Sequence, residues 1–188
     1  MATVDRLDGS ADRTPRSTPA PAARRGLLDF PDPVNEVSAR VVAGGVVLLA
    51  VVTIAADVPW LTAVIAYGFV ARVLTGPRLS PLGQLATRVI TPRLPVAPRL
   101  VPGPPKRFAQ GIGAVLSVSA AGLALGLGLH GAAYVLLGAL AVAATLESVF
   151  GFCLGCQVFA LLMRAGVVPD DVCERCADLW RPAPSTSG

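Results

Sequence analysis

The sequence predicts an all-α membrane protein: four transmembrane helices in a bundle, followed by a cytoplasmic, cysteine-bearing helical segment. Three observations lead there. Of 188 residues, 53% are hydrophobic and only 15% are charged, whereas a soluble domain carries roughly 25% charged residues. The apolar residues gather into long runs, of which 108–129 holds no charge at all. The 16 basic residues are confined to three stretches: Arg6 to Arg40, Arg72 to Arg107 and Arg164 to Arg181.

Residues 1–28 are Ala, Pro, Arg, Ser and Thr with scattered Asp and no apolar period. This composition predicts a disordered tail. The bundle is expected over 29–165. Asn35 is placed to cap a helix, with Glu36 favourably sited in its first turn. The first span is expected at about 41–56 and the second at 59–74, separated by Asp57-Val58-Pro59. As one helix, 41–74 would be about 50 Å long, beyond a hydrocarbon core of about 30 Å. A tight hairpin of two short spans follows, with a re-entrant hairpin as the alternative. Arg24-Arg25, an apolar core and Ile54-Ala55-Ala56 resemble a signal peptide. The basic pair lies too far from that core, and further apolar runs follow.

Residues 75–107 form a basic, Pro-rich loop. Within it, Leu79 to Ile90 has the pattern of a short amphipathic helix on the membrane surface, against the alternative of a structureless loop. The third span, 108–129, contains Gly122-Leu-Ala-Leu-Gly126. Gly-x-x-x-Gly spacing predicts close helix approach inside the chain. His130-Gly131 breaks the run, and the fourth span covers 132–152 with Glu147 near its far end. Apolar sequence continues to Met163, and Gly166 is placed to end that helix in the left-handed conformation. A final helix over 166–180 is expected to begin at Asp170-Asp171, before a polar tail, 181–188.

Cytoplasmic loops are enriched in Lys and Arg. Four spans put every basic residue on one side, so both termini are expected in the cytoplasm of a multi-pass cell-membrane protein whose partner is the lipid bilayer. The positive charge thus reads as topology. Aromatics, at 5%, are too few for a base-stacking platform, so no nucleic-acid partner is expected.

The chemistry lies in the cysteines: Cys153-Leu-Gly-Cys156 and Cys173-Glu-Arg-Cys176. Two Cys-x-x-Cys pairs at this separation fit a four-thiolate zinc site. The same spacing serves dithiol redox chemistry, in which a lowered thiol pKa makes one sulfur the nucleophile. In a reducing cytoplasm persistent structural disulfides are rare. Zinc needs four thiolates at about 2.3 Å from one ion. On a straight helical hairpin turning near Val167 the pairs would be offset by roughly 6–10 Å. A compact zinc site therefore needs a broken helix, with Gly151 and Gly155 as the breaks.

Desolvation at the interface raises a thiol pKa. Glu147 would raise it further, and Arg164 or Arg175 would lower it, so the sign stays open. Glu147 itself has two readings: pairing with a loop arginine, or accepting a proton beside the thiols. His130 reads as an interface residue rather than a ligand, and Trp60, Tyr67, Tyr134 and Trp180 as interface or packing aromatics.

The stretch Glu147 to Pro169 with Val172-Cys-Glu-Arg-Cys-Ala-Asp178 after it resembles a family of small, largely actinobacterial membrane proteins, domain of unknown function 4395. The resemblance covers roughly 29–180. Phe152-Cys-Leu-Gly-Cys156 is its most specific part, with Pro31-Asp-Pro33 and Lys106-Arg-Phe108 as weaker ones. Members often stand beside thioredoxin-like and sulfurtransferase proteins, which implies thiol or sulfur metabolism.

The expected function is a membrane thiol-redox or sulfur-relay component. Cys153 and Cys156 would form one dithiol and Cys173 and Cys176 a second, exchanging electrons or sulfur with a thioredoxin-like or sulfurtransferase partner. The first alternative is a non-enzymatic protein whose four cysteines hold a structural zinc ion. The second is a carrier for a sulfur compound. A sulfur oxyanion would need a basic residue deep in the bundle, and the pattern of spans places none there.

Overall fold

The computed structural model describes residues 31–169 and Val172. The expected tails and the helix carrying Cys173 and Cys176 lie outside the described residues.

The described chain is mostly helical. A two-residue strand β1 (Val34–Asn35) leads into α1 (Glu36–Ala55), then α2 (Leu61–Thr75). A short α3 (Pro81–Gln84) runs on as a widened π-helical stretch, Leu85–Ile90, and a 3-10 turn, Thr91–Arg93. Strand β2 (Leu100–Val101) precedes α4 (Gly103–Ala121), which continues as a π-helical stretch, Gly122–Gly126. Helices α5 (His130–Phe150) and α6 (Leu154–Arg164) complete the order.

Asn35 caps α1 as expected: its Oδ1 accepts from the Val37 N–H at 3.0 Å. β1 pairs antiparallel with β2, Val34 opposite Val101, and the Glu36 N–H extends the pairing to the Arg99 carbonyl at 2.7 Å. Arg99 Nε stands 3.0 Å from Glu36 Oε2. The clasp fastens the loop between α2 and α4 to the start of α1, where the sequence suggested one surface helix and irregular chain.

The α1–α2 turn falls at Asp57, which has φ +50°, a conformation that Asp tolerates better than most residues. The second turn falls at Gly128, with φ +66°, just before the expected break at His130. The Tyr134 hydroxyl donates to the Asp57 carboxylate, so both turns lie at one end of the bundle. The basic loop, Lys106 and the start of α6 lie at the other.

Helix α1 packs on α5, α2 on α4, and α4 on both α5 and α6. Small residues make these contacts close. Val46, Ala50, Ile65, Phe69, Ala120, Ala133 and Leu137 form the centre. A Cβ at Gly113 would fall 2.2 Å from the Phe69 ring, so α2 and α4 meet through this glycine. The Gly122 and Gly126 expectation is overturned: a Cβ at either would meet nothing within 4 Å. Both sit in the π-helical stretch, whose wider turn rotates them off the helix contacts.

The bundle exposes many large apolar side chains and buries several hydroxyls beside its apolar core. Leu48, Val115, Val135 and Val142 are each more than 60% exposed, while Thr53, Thr62 and Ser117 are fully buried. Each buried hydroxyl is satisfied by a carbonyl three or four residues back. Among the described residues three helices, Glu36–Ala55, Gly103–Gly126 and His130–Phe150, are long and apolar enough to cross a membrane. Helix α2, with 15 residues, reaches only about 22 Å.

Candidate functional site

Helix α5 ends at Gly151, whose φ of +69° closes the helix in the left-handed conformation. The sequence offered Gly151 as a break only for the compact zinc arrangement. The carbonyl end of α5 is capped from the far end of the chain: the Arg40 guanidinium donates to Ser148 O at 3.1 Å and Val149 O at 2.7 Å. A cation here also suits the negative end of the helix dipole. Cys153 then becomes the N-cap of α6, with extended backbone, and its carbonyl accepts from the Gln157 N–H at 3.1 Å. Gly155 is not a break but the second residue of α6, after the Cys153 cap. A Cβ on it would lie 2.5 Å from the Ala109 Cβ and 2.6 Å from the Ala109 Cα. Glycine is what lets α6 lie directly on α4, and Phe159 then packs on Phe108 at a ring separation of 5.6 Å.

This docking brings Cys153 and Cys156 together. Their sulfurs are 2.8 Å apart, Cys156 donating to Cys153, against an S–S bond of about 2.05 Å. Both are free thiols; Cys153 is buried and Cys156 half-buried. The Cys153 pKa is lowered, chiefly by the hydrogen bond from Cys156 and further by the Lys106 ammonium, against burial and Glu147, which raise it. The Cys156 pKa is raised, because ionising it would give up the hydrogen bond to Cys153 and because it is buried. The two thiols are thus pushed apart, one toward thiolate and one toward thiol, the division of labour a dithiol needs.

Glu147 is an ion-paired acid. Its Oε1 takes Lys106 Nζ at 2.6 Å, with both side chains largely buried. The partner expected from sequence was a loop arginine. It is instead the single lysine of the chain, on the first turns of α4. Lys106 acts electrostatically on both thiols; Arg175 lies outside the described residues.

Sequence reasoning missed two further residues. Arg72, near the end of α2, is 5% exposed. Its Nε donates to Gln110 Oε1 at 2.9 Å and its Nη1 to Ser80 Oγ at 3.1 Å. The guanidinium lies 4.3 Å over the Phe69 ring. Arg72 and Lys106 are thus buried rather than turned out to the loop, both at the basic end of the bundle. Their signal was in the sequence: Arg72 interrupts an apolar run and Lys106 opens one. They were read as loop charges because an arginine near a span end ordinarily extends outward.

A cavity of about 300 Å³ runs between α1, α2, α4, α5 and the start of α6, and Cys153, Glu147, Arg72 and Gln110 all line it. His130 lies away from the thiols, tilted against Tyr134 at the other end of the bundle. Among the described residues no cluster of three or more His, Cys, Asp or Glu forms a metal site. The four-cysteine zinc arrangement involves Cys173 and Cys176, outside the described residues.

No curated protein and no solved structure gives a significant match to this chain. A family model does match, over residues 34–164, which takes in the whole clasp, the bundle and the dithiol. The chain belongs to the family described as domain of unknown function 4395.

Proposed function

We propose that this protein is a multi-pass membrane thiol-redox component whose working dithiol is Cys153–Cys156. The observation that carries the reading is the 2.8 Å approach of two sulfurs whose acidities are driven in opposite directions. The apolar exterior suits a bilayer. In this reading α2 is the fourth span, shorter than the others, and the basic end of the bundle faces the cytoplasm with both termini.

The oxidised form is reduced by a cytosolic thioredoxin-like partner. A partner thiolate attacks Cys156 Sγ, the more accessible sulfur. The Cys153–Cys156 bond breaks, and Cys153 leaves as the thiolate its surroundings favour, since lower-pKa thiols leave faster. The partner's second thiol, deprotonated, closes the partner disulfide, and Cys156 leaves and takes up a proton. The partner is oxidised by two electrons and the membrane dithiol is reduced by two. Glu147, which acts electrostatically on both thiols, is the proton acceptor when Cys156 next reacts. Cys173 and Cys176 form a second pair on the cytoplasmic side, handing electrons or sulfur onward.

The test is free-thiol labelling of membranes. Mild oxidation should remove the Cys153 and Cys156 labels together, thioredoxin should restore them, and Cys156→Ser should abolish the cycle. Stoichiometric zinc, with thiols unmasked only by a chelator, would replace this reading with a structural four-cysteine metal site.

A further inference from the structure

The cavity beside Cys153 is the feature that the dithiol scheme leaves unused. It extends along α5 from Glu147 back to Ala139, about 12 Å of helix. Its polar wall residues are Cys153, Glu147, Arg72 and Gln110, all at the basic end of the bundle. Val46, Phe69, Leu116 and Leu140 make the rest apolar. Arg72 and Glu147 are opposite charges in one wall, each already in hydrogen bonds. The cavity therefore selects no ion and suits a neutral molecule. Gln110 gives its carbonyl oxygen to Arg72 Nε at 2.9 Å. Its amide nitrogen keeps both donors, with no acceptor for them among the described residues. An apolar pocket with one or two such polar groups is the usual form of a small-molecule site.

Where the cavity walls reach the exterior, they are apolar. Ile112 on α4, Ala139 on α5, and Leu154 and Val158 on α6 line it and are also exposed. Cys153 and Arg72, in contrast, are only 7% and 5% exposed. The mouth thus opens on apolar surface of the kind that meets lipid, and a ligand entering by it partitions into a bilayer. Size sets a second limit. A cavity of ~150 Å³ is enough for benzene. About 300 Å³ holds a substituted ring, with any chain it carries left in the mouth. Chemistry sets the third. A dithiol reduced from the cytosol cycles only if a two-electron acceptor takes its electrons.

From this we infer that the cavity is a quinone site: a lipid-soluble quinone enters from the bilayer, sets its ring beside Cys153, accepts a hydrogen bond from the Gln110 amide and takes the dithiol's electrons. The inference rests on the dithiol reading and names the acceptor class of that same site. Cys153 thiolate adds to a ring carbon of the quinone. A C–S bond forms, and an electron pair moves onto a quinone oxygen. Cys156 gives its proton to Glu147 and attacks Cys153 Sγ. The S–S bond forms, the C–S bond breaks, and its electron pair returns to the ring. The hydroquinone dianion so released takes one proton from Glu147 and one from water. The dithiol is oxidised by two electrons and the quinone is reduced by two. Gln110 touches a quinone oxygen and not the reacting sulfurs.

The test uses the full chain in detergent micelles, without oxygen, with Cys173 and Cys176 replaced by Ser and the remaining pair reduced. Decylubiquinone is added. Loss of the quinone absorbance is followed together with loss of the two thiols, read by alkylation and mass spectrometry. One hydroquinone should form for each Cys153–Cys156 disulfide, and reduced thioredoxin should restore both thiols for a further round. Ala143→Phe puts a ring into the cavity wall. It should slow oxidation by decylubiquinone about tenfold or more and leave oxidation by diamide, a water-soluble reagent, unchanged. If Ala143→Phe does not fold, competition on the Ala143 chain decides: heptyl-hydroxyquinoline N-oxide, a redox-inert quinone mimic, should slow decylubiquinone and not diamide. Closure of the disulfide by diamide but not by decylubiquinone would overturn the quinone assignment and leave the dithiol standing. Closure by dipropyl disulfide, a neutral lipid-soluble disulfide, with decylubiquinone inert, would reassign the cavity to disulfides and sink the quinone. An equal decylubiquinone rate with and without the Ala143→Phe ring, or with and without the mimic, would mean that the quinone meets Cys156 from outside and would remove the cavity from the reaction. A pair that none of the three oxidants closes would overturn the dithiol reading itself.

Discussion

Lys106 on α4 and Glu147 on α5 meet at 2.6 Å in the interior, and both act electrostatically on the thiols. Removing one member of a buried pair leaves the other charge uncompensated, at a cost of about 3–5 kcal/mol. Lys106→Met and Glu147→Gln should each destabilise the bundle by about 3 kcal/mol, read by denaturant titration in detergent. The double variant Lys106→Met, Glu147→Leu should recover part of that loss, because no lone charge remains. A double variant no better than the worse single one would show that the pair acts as more than mutual neutralisation.

The thiol environment predicts a pH profile. A lowered Cys153 pKa means that its thiolate persists at pH values where an ordinary thiol, of pKa about 8.5, is protonated. The alkylation rate of Cys153 by iodoacetamide should therefore reach half its maximum below that pH. Cys156→Ala deletes the hydrogen bond that is the largest cause of the lowering, so the midpoint should move up. Lys106→Met should move it the same way by a smaller step. A midpoint unmoved by Cys156→Ala would contradict the 2.8 Å contact as its origin.

Gly155 and the pair Gly122 and Gly126 should respond in opposite ways. Gly155→Val drives a side chain into the Ala109 backbone. It should lift α6 from α4, expose Cys156 and speed its labelling, with a stability loss of about 1–3 kcal/mol for overpacking. Gly122→Leu and Gly126→Leu meet open space and should leave detergent stability of the monomer unchanged. Destabilisation by the latter two would restore a helix contact at those glycines.

The arrangement in the membrane is tested by reporters. Fusions after Pro105 and after Met163 should read cytoplasmic, and an insertion at Asp57 should read external. Opposite sides for the first two would eliminate the four-span arrangement.

The first three apolar runs were legible because each is bounded by a recognisable stop, Asp57 and Pro59 or His130-Gly131; the end of α5 was not, since apolar sequence continues past Gly151 to Met163. The cap at Asn35 was legible for the same local reason. The site was legible only in its cysteines. Which cation faces the thiols depends on how α4 lies against α5, and no local pattern distinguishes Lys106 pointing inward from Lys106 pointing outward. Arg72 was hidden in the same way, since its burial depends on Gln110 and Ser80 arriving from two other segments. The Gly-x-x-x-Gly spacing misled because it presumes regular helix pitch, and Gly122–Gly126 is wound as a π-helix.

The Arg40 cap on α5 joins residues 108 positions apart. A ribosome releases α1 long before the carbonyls that Arg40 holds exist, and the β1–β2 clasp likewise waits for Leu100. The turn that places Cys153 as a helix cap is thus fastened by the earliest described part of the chain acting on one of the last. A chain cut short before Ser148 loses those carbonyls and Cys153 together, so every chain that carries the thiol also carries both halves of its fastening.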